Sequence, residues 1–352
     1  MEIIGGGLLE IRINRSDVGK RVSVRSLTDA GAPGGKFTDT VGVLTSWNDD
    51  VLLITRRDGT PVRIPESRLV AGKVVPAAPA RRRGPAASFE ELARVAARSW
   101  QPVESERLGD WELRAADGFT RRANSVLALG DPGMPLDRAL AFVREWYAER
   151  GLPAFVQTST GAEGTHELLC AELESRGWAA ETHAQVRIGG LAPVGDIDAD
   201  VDRVRLSRTC DEAWLSRYQR GAGRSPSVRG GGRATGGRFG EGSPAVLKVL
   251  HNGPSVWFAS VPTDGGAPAA IGRCVVDGRW AGFMAVEVDP AYRRQGLATS
   301  VMTALARKAL DEGASAAWLQ VEADNAGAQA MYDAMGFAVH HHYHYHRATD
   351  PS

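Results

Sequence analysis

The sequence predicts an α+β protein: a mixed, mostly antiparallel sheet flanked by helices, present in tandem and preceded by a small all-β barrel. Three observations carry that expectation. Residues Met284 to Phe337 run strand, loop, helix, strand, helix. Residues 89–190 repeat this layout more loosely, as an internal duplication does. Residues 1–76 hold short alternating strands separated by tight turns.

In the first segment Val22 and Val24 alternate with Arg21, Ser23 and Arg25, the period of a half-buried strand. Val41 to Trp47 and Val51 to Thr55 flank Asn48-Asp49-Asp50, and Asp58-Gly59 turns the chain back into Val62-Arg63-Ile64. This pattern over residues 1–76 resembles an SH3-like module. Residues 77–88, with Pro79, the Arg81-Arg82-Arg83 triplet and Pro85, read as a semi-rigid linker. Ser88-Phe89-Glu90-Glu91 then supplies an N-cap and capping box for a helix through Trp100.

The first copy, residues 89–190, continues with strands at Trp111 to Arg114 and Ala123 to Leu129. A helix follows with Pro135 near its first turn and an apolar stripe at Leu136, Leu140, Val143 and Tyr147. Strand Ala154 to Thr158, helix His166 to Ser175 and Arg176-Gly177-Trp178 complete it. The second copy, residues 200–347, opens with helix Cys210 to Arg220. Its glycine-, arginine- and serine-rich insertion at 221–243 carries too little apolar surface to order itself. Strands Ala245 to Leu250, Ser255 to Val261, Ala270 to Val276 and Trp280 to Val288 follow.

Composition narrows the function classes. The 352 residues carry 42 basic and 42 acidic side chains, so no global positive field argues for nucleic acid. Residues 1–76 hold 11 Lys/Arg against 9 Asp/Glu, too small an excess for a nucleic-acid surface. Cys170, Cys210 and Cys274 are widely spaced and odd in number, which speaks against a disulfide framework or zinc site. No basic-then-apolar leader opens the chain and no apolar run approaches bilayer length, so a cytoplasmic location without membrane contact is expected.

The chemistry concentrates at Tyr292-Arg293-Arg294-Gln295-Gly296-Leu297-Ala298. This loop follows the strand ending at Val288 and opens a helix whose Leu297, Val301, Ala304 and Leu305 form one apolar stripe. The first amides of a helix lack intrahelical partners and sit at the positive end of its dipole, so the position favours an anion such as a pyrophosphate. The spacing Arg293-x-x-Gly296-x-Ala298 resembles motif A of the GNAT acetyltransferase superfamily. Strand Ala317 to Glu322, then Asp324-Asn325, helix Ala328 to Met335 with Tyr332, and Gly336-Phe337 resemble motif B.

The resemblance implies a GNAT fold in tandem and acetyl-coenzyme A as cosubstrate, with no metal. It implies that Val286, Val288, Arg293, Arg294, Gln295, Gly296, Leu297, Ala298, Thr299 and Asn325 contact the cofactor. The turn would take the pyrophosphate, and the amides of Val286 and Val288 the pantetheine arm. It also maps Tyr332 to the general acid that protonates the departing thiolate, a role that suits a phenol protonated at neutral pH. Over most of its length the chain is similar to an actinobacterial GNAT subfamily labelled histone-type acetyltransferases.

Strand alternation sets Ala285 and Glu287 on one face and Met284, Val286 and Val288 on the other. Glu287, just before the turn, is the candidate general base, acting directly or through a water, with Glu322 as its rival. The first copy departs from the motif: Gly130-Asp131-Pro132-Gly133-Met134-Pro135 lacks the Arg-x-x-Gly spacing and its prolines remove donors. That half is therefore expected to be degenerate and supporting. Alternation places His340, His342, His344 and His346 on one face of a final strand, without the carboxylate or thiolate that would complete a metal site. His166, His183 and His251 read as isolated structural or surface groups.

These readings converge on acetyl-coenzyme A-dependent N-acetyl transfer to a primary amine of an unidentified acceptor, a small molecule ahead of a protein lysine. The SH3-like module offers a route to a protein acceptor. The alternative is a coenzyme A-binding sensor, which needs the turn but has no use for Tyr332.

Overall fold

A computed structural model describes residues 10–28, 37–76, 84–218 and 243–349. The glycine-rich stretch 221–243, apart from Ser243, and residues 77–83 of the expected linker lie outside the described residues. Along the chain come β1 (Arg21–Leu27), β2 (Phe37–Asn48), β3 (Val51–Arg56), β4 (Pro61–Pro65) and β5 (Leu69–Val74). Next are α1 (Phe89–Arg98), β6 (Glu104–Leu108), β7 (Trp111–Ala115), β8 (Val126–Leu127), α2 (Leu136–Glu149), β9 (Phe155–Thr160), α3 (Glu167–Ser175) and β10 (Ala179–Gly190). The remainder comprises α4 (Ala192–Gly195), β11 (Arg205–Ser207), α5 (Glu212–Arg217), α6 (Pro244–His251), β12 (Ser255–Val261), β13 (Ala270–Asp277) and β14 (Trp280–Val288). It closes with α7 (Leu297–Asp311), β15 (Ala316–Glu322), α8 (Ala326–Ala334) and β16 (Ala338–Arg347).

The chain divides into two compact units. The first gathers the described residues of Met1–Arg81, Thr158–His183 and His340–Ser352; the second gathers those of Arg82–Gln157 and Ala184–Val339.

In the first unit β1 to β5 form an antiparallel sheet ordered β4-β3-β2-β1-β5. Val22, Val24, Leu44, Trp47, Leu52, Ile54 and Ile64 fill its core, so the alternation read from the sequence has buried the side chains it marked. Asp58-Gly59 makes the β3–β4 turn. Gly59 has φ +86°, and a Cβ there would lie 2.6 Å from His344 Nε2, so both conformation and space demand glycine.

The histidines of β16 are the other feature of this unit. His341, His344 and His346 are at most 3% exposed, a different set from the one-face alternation expected. His183 is not isolated, because its Nδ1 lies 2.8 Å from Nδ1 of His344. Thr160 Oγ1 donates to Arg57 O at 2.9 Å, so it accepts from His344 Nε2–H, also at 2.9 Å. His344 Nδ1 is thereby left as the acceptor of His183 Nδ1–H. Among the described residues no three His, Cys, Asp or Glu groups converge as metal ligands.

In the second unit the strands run β11-β12-β13-β14-β15-β10, and β8-β7-β6 run in that order. Each copy contributes one parallel pair, β8 with β9 and β14 with β15, whereas β10–β15, β11–β12, β12–β13, β13–β14, β6–β7 and β7–β8 are antiparallel. The crossovers are the helices α2 and α7, as parallel neighbours require. The last strands are exchanged: β10, which ends the first copy, pairs with β15 of the second, from Ala184↔Glu322 to Gly190↔Ala316. Within the first unit, β16 lies beside Thr158 to Thr160 of β9.

Two expected strands are corrected. Ala245 to Leu250 is helix α6, opened by Pro244 and burying Ala245, Val246, Val249 and Leu250, a helical spacing that a short apolar run conceals. Ala123 to Leu129 shrinks to the two residues of β8, because Asn124 organises the preceding loop. Its Oδ1 accepts from the amides of Ala116 and Gly118, and its Nδ2 donates to the carbonyls of Phe119 and Thr120.

Arg273 of β13 is fully buried, with no carboxylate partner among the described residues. Nε donates to Leu250 O at 2.7 Å, Nη1 to Ser99 O at 2.9 Å and Nη2 to Asn252 O at 2.8 Å. Ser99 is the C-cap of α1, and Leu250 and Asn252 end α6. The cation is thus balanced by the negative ends of two helix dipoles. Desolvation nevertheless pulls its pKa down to about 9.

Arg273→Met should lower stability by about 3 kcal/mol or more, because three buried carbonyls lose their donors; denaturant unfolding measures it. The histidines give a pH dependence. Burial lowers the pKa of His166 to about 4 and of His344 to about 3, and that of His341 well below its ordinary value. Folded-state values below the unfolded one mean that the unfolded chain binds more protons, so stability present above about pH 6.5 is lost as pH falls toward 4. Each ring contributes on the order of 1.4 kcal/mol per pH unit in that window. Thermal unfolding between pH 7.5 and 5 should show the falling midpoint, and His344→Gln should flatten it.

Candidate active site

β14 carries the site and does not alternate throughout. Ala285 has φ +51°, and the β13–β14 register slips, Ile271 facing Glu287 but Arg273 facing Met284. This is a bulge. Met284 and Ala285 both pack into the core beneath α1, α5 and α6, whereas Val286 and Val288 pack against the opposite core beneath α7 and α8. The expected grouping of Met284 with Val286 and Val288 is corrected accordingly; one inserted residue flips everything before it. Glu287, between Val286 and Val288, is half-buried.

The parallel register between β14 and β15 runs from Trp280↔Ala316 to Phe283↔Leu319, while β14 continues to Val288 and β15 to Glu322. Beyond the strand, Pro290 to Gly296 are exposed. Arg294 has φ +65° and Gly296 φ +74°, so the turn passes twice through the left-handed region before α7 begins. Gly296 is the N-cap, and Ser300 N→Gly296 O at 2.9 Å is the first helical bond. The amides of Leu297, Ala298 and Thr299 therefore precede any intrahelical acceptor. α7 sits close against the sheet: Leu297, Val301, Ala304 and Leu305 are all buried, and a Cβ on Gly272 would lie 2.5 Å from Val301 Cγ1.

Helix α8 presents Tyr332 and Asn325. Tyr332 is 8% exposed and belongs to the same apolar cluster as Leu297, against which Val286 and Val288 also pack. Its ring meets Phe337 edge-on at 5.9 Å. Asn325 is the N-cap of α8, its Oδ1 accepting from Ala328 N at 3.1 Å. Glu322 ends β15 opposite Ala184.

Two arginines in supporting positions went unread in the sequence, since neither lies near a motif. Arg187 of β10, nearly buried, reaches Asp333 Oδ1 at 2.7 Å and so holds α8 from the exchanged strand. Arg217 at the end of α5 donates from Nε to Pro268 O at 2.7 Å and pairs through Nη2 with Asp289. The Ala291 amide and then Arg217 hold the Asp289 carboxyl below its usual range against some desolvation.

The corresponding turn in the first copy is closed. Asp110 N donates to Asp131 O, Asp131 N to Asp110 Oδ2 and Gly133 N to Asp131 Oδ1, so acidic side chains occupy its amides. α2 starts after Pro135 without a side-chain cap. The three cysteines are free thiols; Cys170 and Cys274 are buried, and burial pushes each thiol up to about 12. Cys210 is half-buried, with His251 Nε2 accepting from its backbone amide at 3.2 Å, so His251 too has a structural partner. No helix among the described residues is long and apolar enough to cross a membrane.

Residues 86–346 match the sequence family described as the probable histone acetyltransferase Rv0428c C-terminal. The chain is 26% identical over 334 residues to the probable histone acetyltransferase Rv0428c of Mycobacterium tuberculosis, covering 93% of this chain and 94% of that one. Among solved structures, a GCN5-related N-acetyltransferase from Kribbella flavida superposes with a TM-score of 0.53 at 15% identity, covering 76% of this chain and 98% of the other. A tandem GNAT protein from the clavulanic acid biosynthesis pathway gives 0.51 at 14% identity, covering 76% and 91%. These two likenesses speak to the fold alone. The family match covers most of the chain, and with it the protein belongs to the Rv0428c C-terminal family of GNAT acetyltransferases.

Proposed function

We propose that the chain transfers the acetyl group of acetyl-coenzyme A to a primary amine, using one cofactor site per chain, in the second copy. The observation that carries this reading is the exposed turn Arg293 to Gly296 leading into the free amides of the 15-residue helix α7, beside the point where β14 and β15 cease to pair. The diphosphate would lie on the amides of Leu297, Ala298 and Thr299, with Arg293, Arg294 and Gln295 around it. The pantetheine arm would follow Val286 and Val288 between the diverging strands, toward Asn325 and Tyr332.

In the reaction the neutral amine nitrogen attacks the thioester carbonyl carbon, a C–N bond forms and the C–S bond breaks. Glu287, directly or through a water, takes the proton that the nitrogen sheds. Tyr332 gives its hydroxyl proton to the leaving thiolate and regains one from solvent. No metal enters the scheme. The bulge at Ala285 supports it by turning the backbone of Val286 to Val288 relative to the preceding strand.

A small-molecule amine is favoured over a protein lysine. The mycobacterial relative is named for histones, yet this chain has zero net charge and offers no long-range field for a strongly basic acceptor.

Calorimetry with acetyl-coenzyme A should give one site per chain, and Gly296→Glu should abolish it, since the variant strains a φ of +74° and sets a carboxylate where the diphosphate would lie. Two equivalent sites, or binding that survives the substitution, would refute the assignment. Tyr332→Phe should slow turnover by roughly ten- to a thousandfold with cofactor affinity within a few-fold, because one proton donor is lost and the binding groups remain. Thiol release assayed over a panel of small amines, amino acids, peptides and basic proteins reads both the rate and the acceptor class.

A further inference from the structure

Asp289 is a carboxylate at the entry to a turn that would receive a diphosphate. Its presence follows from the shape of the turn: Oδ1 accepts from Ala291 N at 2.8 Å and starts the short 3-10 segment Pro290–Tyr292, which leads into Arg293. The Asp289 amide meanwhile donates to Ala269 O at 2.9 Å, tying the end of β14 to the start of β13. A side chain needed for its acceptor oxygen thus brings a negative charge to a place that must attract an anion.

Arg217 meets that charge. Its side chain is 11% exposed and bridges two segments, Nε on Pro268 O and Nη2 on Asp289 Oδ2. The position of Arg217 is itself determined by Trp214, one helical turn earlier. Trp214 is 2% exposed, and its Nε1 donates to Ala259 O at 3.1 Å, seating α5 on β12. Asp211 caps α5 by accepting from Trp214 N at 2.7 Å. The guanidinium therefore comes from a distant part of the chain to an address held by burial and hydrogen bonds.

We propose that Arg217 is a positioning residue for the diphosphate turn, which neutralises Asp289 and fixes the turn so that its field toward the cofactor stays positive. The inference rests on the reading of Arg293 to Thr299 as the acetyl-coenzyme A site. Removing Arg217 leaves an unpaired carboxylate beside the diphosphate. Replacing Asp289 by Asn removes the charge and keeps the oxygen that caps Ala291.

The test is a double-mutant cycle on the full chain with two thioester substrates, acetyl-coenzyme A and S-acetyl-pantetheine, the latter lacking the diphosphate. Arg217→Met should raise KM for acetyl-coenzyme A roughly tenfold or more with kcat little changed, while kinetics with S-acetyl-pantetheine stay near wild type. Asp289→Asn should leave KM for acetyl-coenzyme A equal or lower. Arg217→Met combined with Asp289→Asn should recover most of the loss, and Arg217→Lys should retain part of the wild-type behaviour. A merely structural bridge predicts the reverse pattern, with the double variant no better than Arg217→Met and both thioesters equally impaired; that result would overturn the inference. Unchanged acetyl-coenzyme A kinetics in Arg217→Met would overturn it too while leaving the cofactor site standing. Absence of acetyl-coenzyme A binding by the wild-type chain would instead remove the cofactor site itself.

Discussion

The organisation of the second unit depends on a cation that no carboxylate among the described residues balances. Arg273 lies in the middle of the sheet, and its three donor groups end on the carbonyls of Ser99, Leu250 and Asn252. These belong to the C-terminal ends of α1 from the first copy and α6 from the second. A helix end buried without partners is costly, and so is a buried charge, but each cost is met by the other. The same guanidinium meets Met284 Sδ at 3.3 Å, next to the bulge. One residue therefore links the two copies, terminates two helices and supports the point where β14 changes face.

That change of face is what divides the labour at the site. Before Ala285 the strand is ordinary core; after it, Val286 and Val288 pack with Leu297 and Tyr332. Gly272, opposite the bulge, gives α7 the close seat that brings its first turn to the end of β14. Apolar packing on one face and a polar turn at its rim are what a cofactor with a lipophilic arm and an anionic head requires.

The first unit solves a different problem. β16 places several histidines in a dry interior, where neutral rings are tolerated and charged ones are not. Thr160 directs its proton to Arg57 O, and this dictates the tautomer of His344 and then the donor role of His183. His344 packs against the β3–β4 turn, where a side chain on Gly59 would meet its ring.

Local signals sufficed for much of this protein. The Arg293-to-Ala298 turn, the stripe of α7, the cap at Ser88 and the Asp58-Gly59 hairpin are set by residues a few positions apart, so their chemistry is complete within a short window. The order strand, helix, strand, helix that recurs along the chain was legible in the same way. What it could not determine were matters of partner choice. Alternation says that β10 and β16 are strands but not that β10 pairs with β15 while β16 lies beside β9, since strand pairing depends on which edges the rest of the fold leaves open. The helix at Pro244–His251 was hidden for a related reason: eight residues of mostly apolar character fit either period until neighbouring elements select one. The bulge at Ala285, the burial of Arg273 and the approach of Arg217 to Asp289 are likewise tertiary decisions. Each joins groups far apart in the chain, and only the packed sheet brings them within hydrogen-bonding distance.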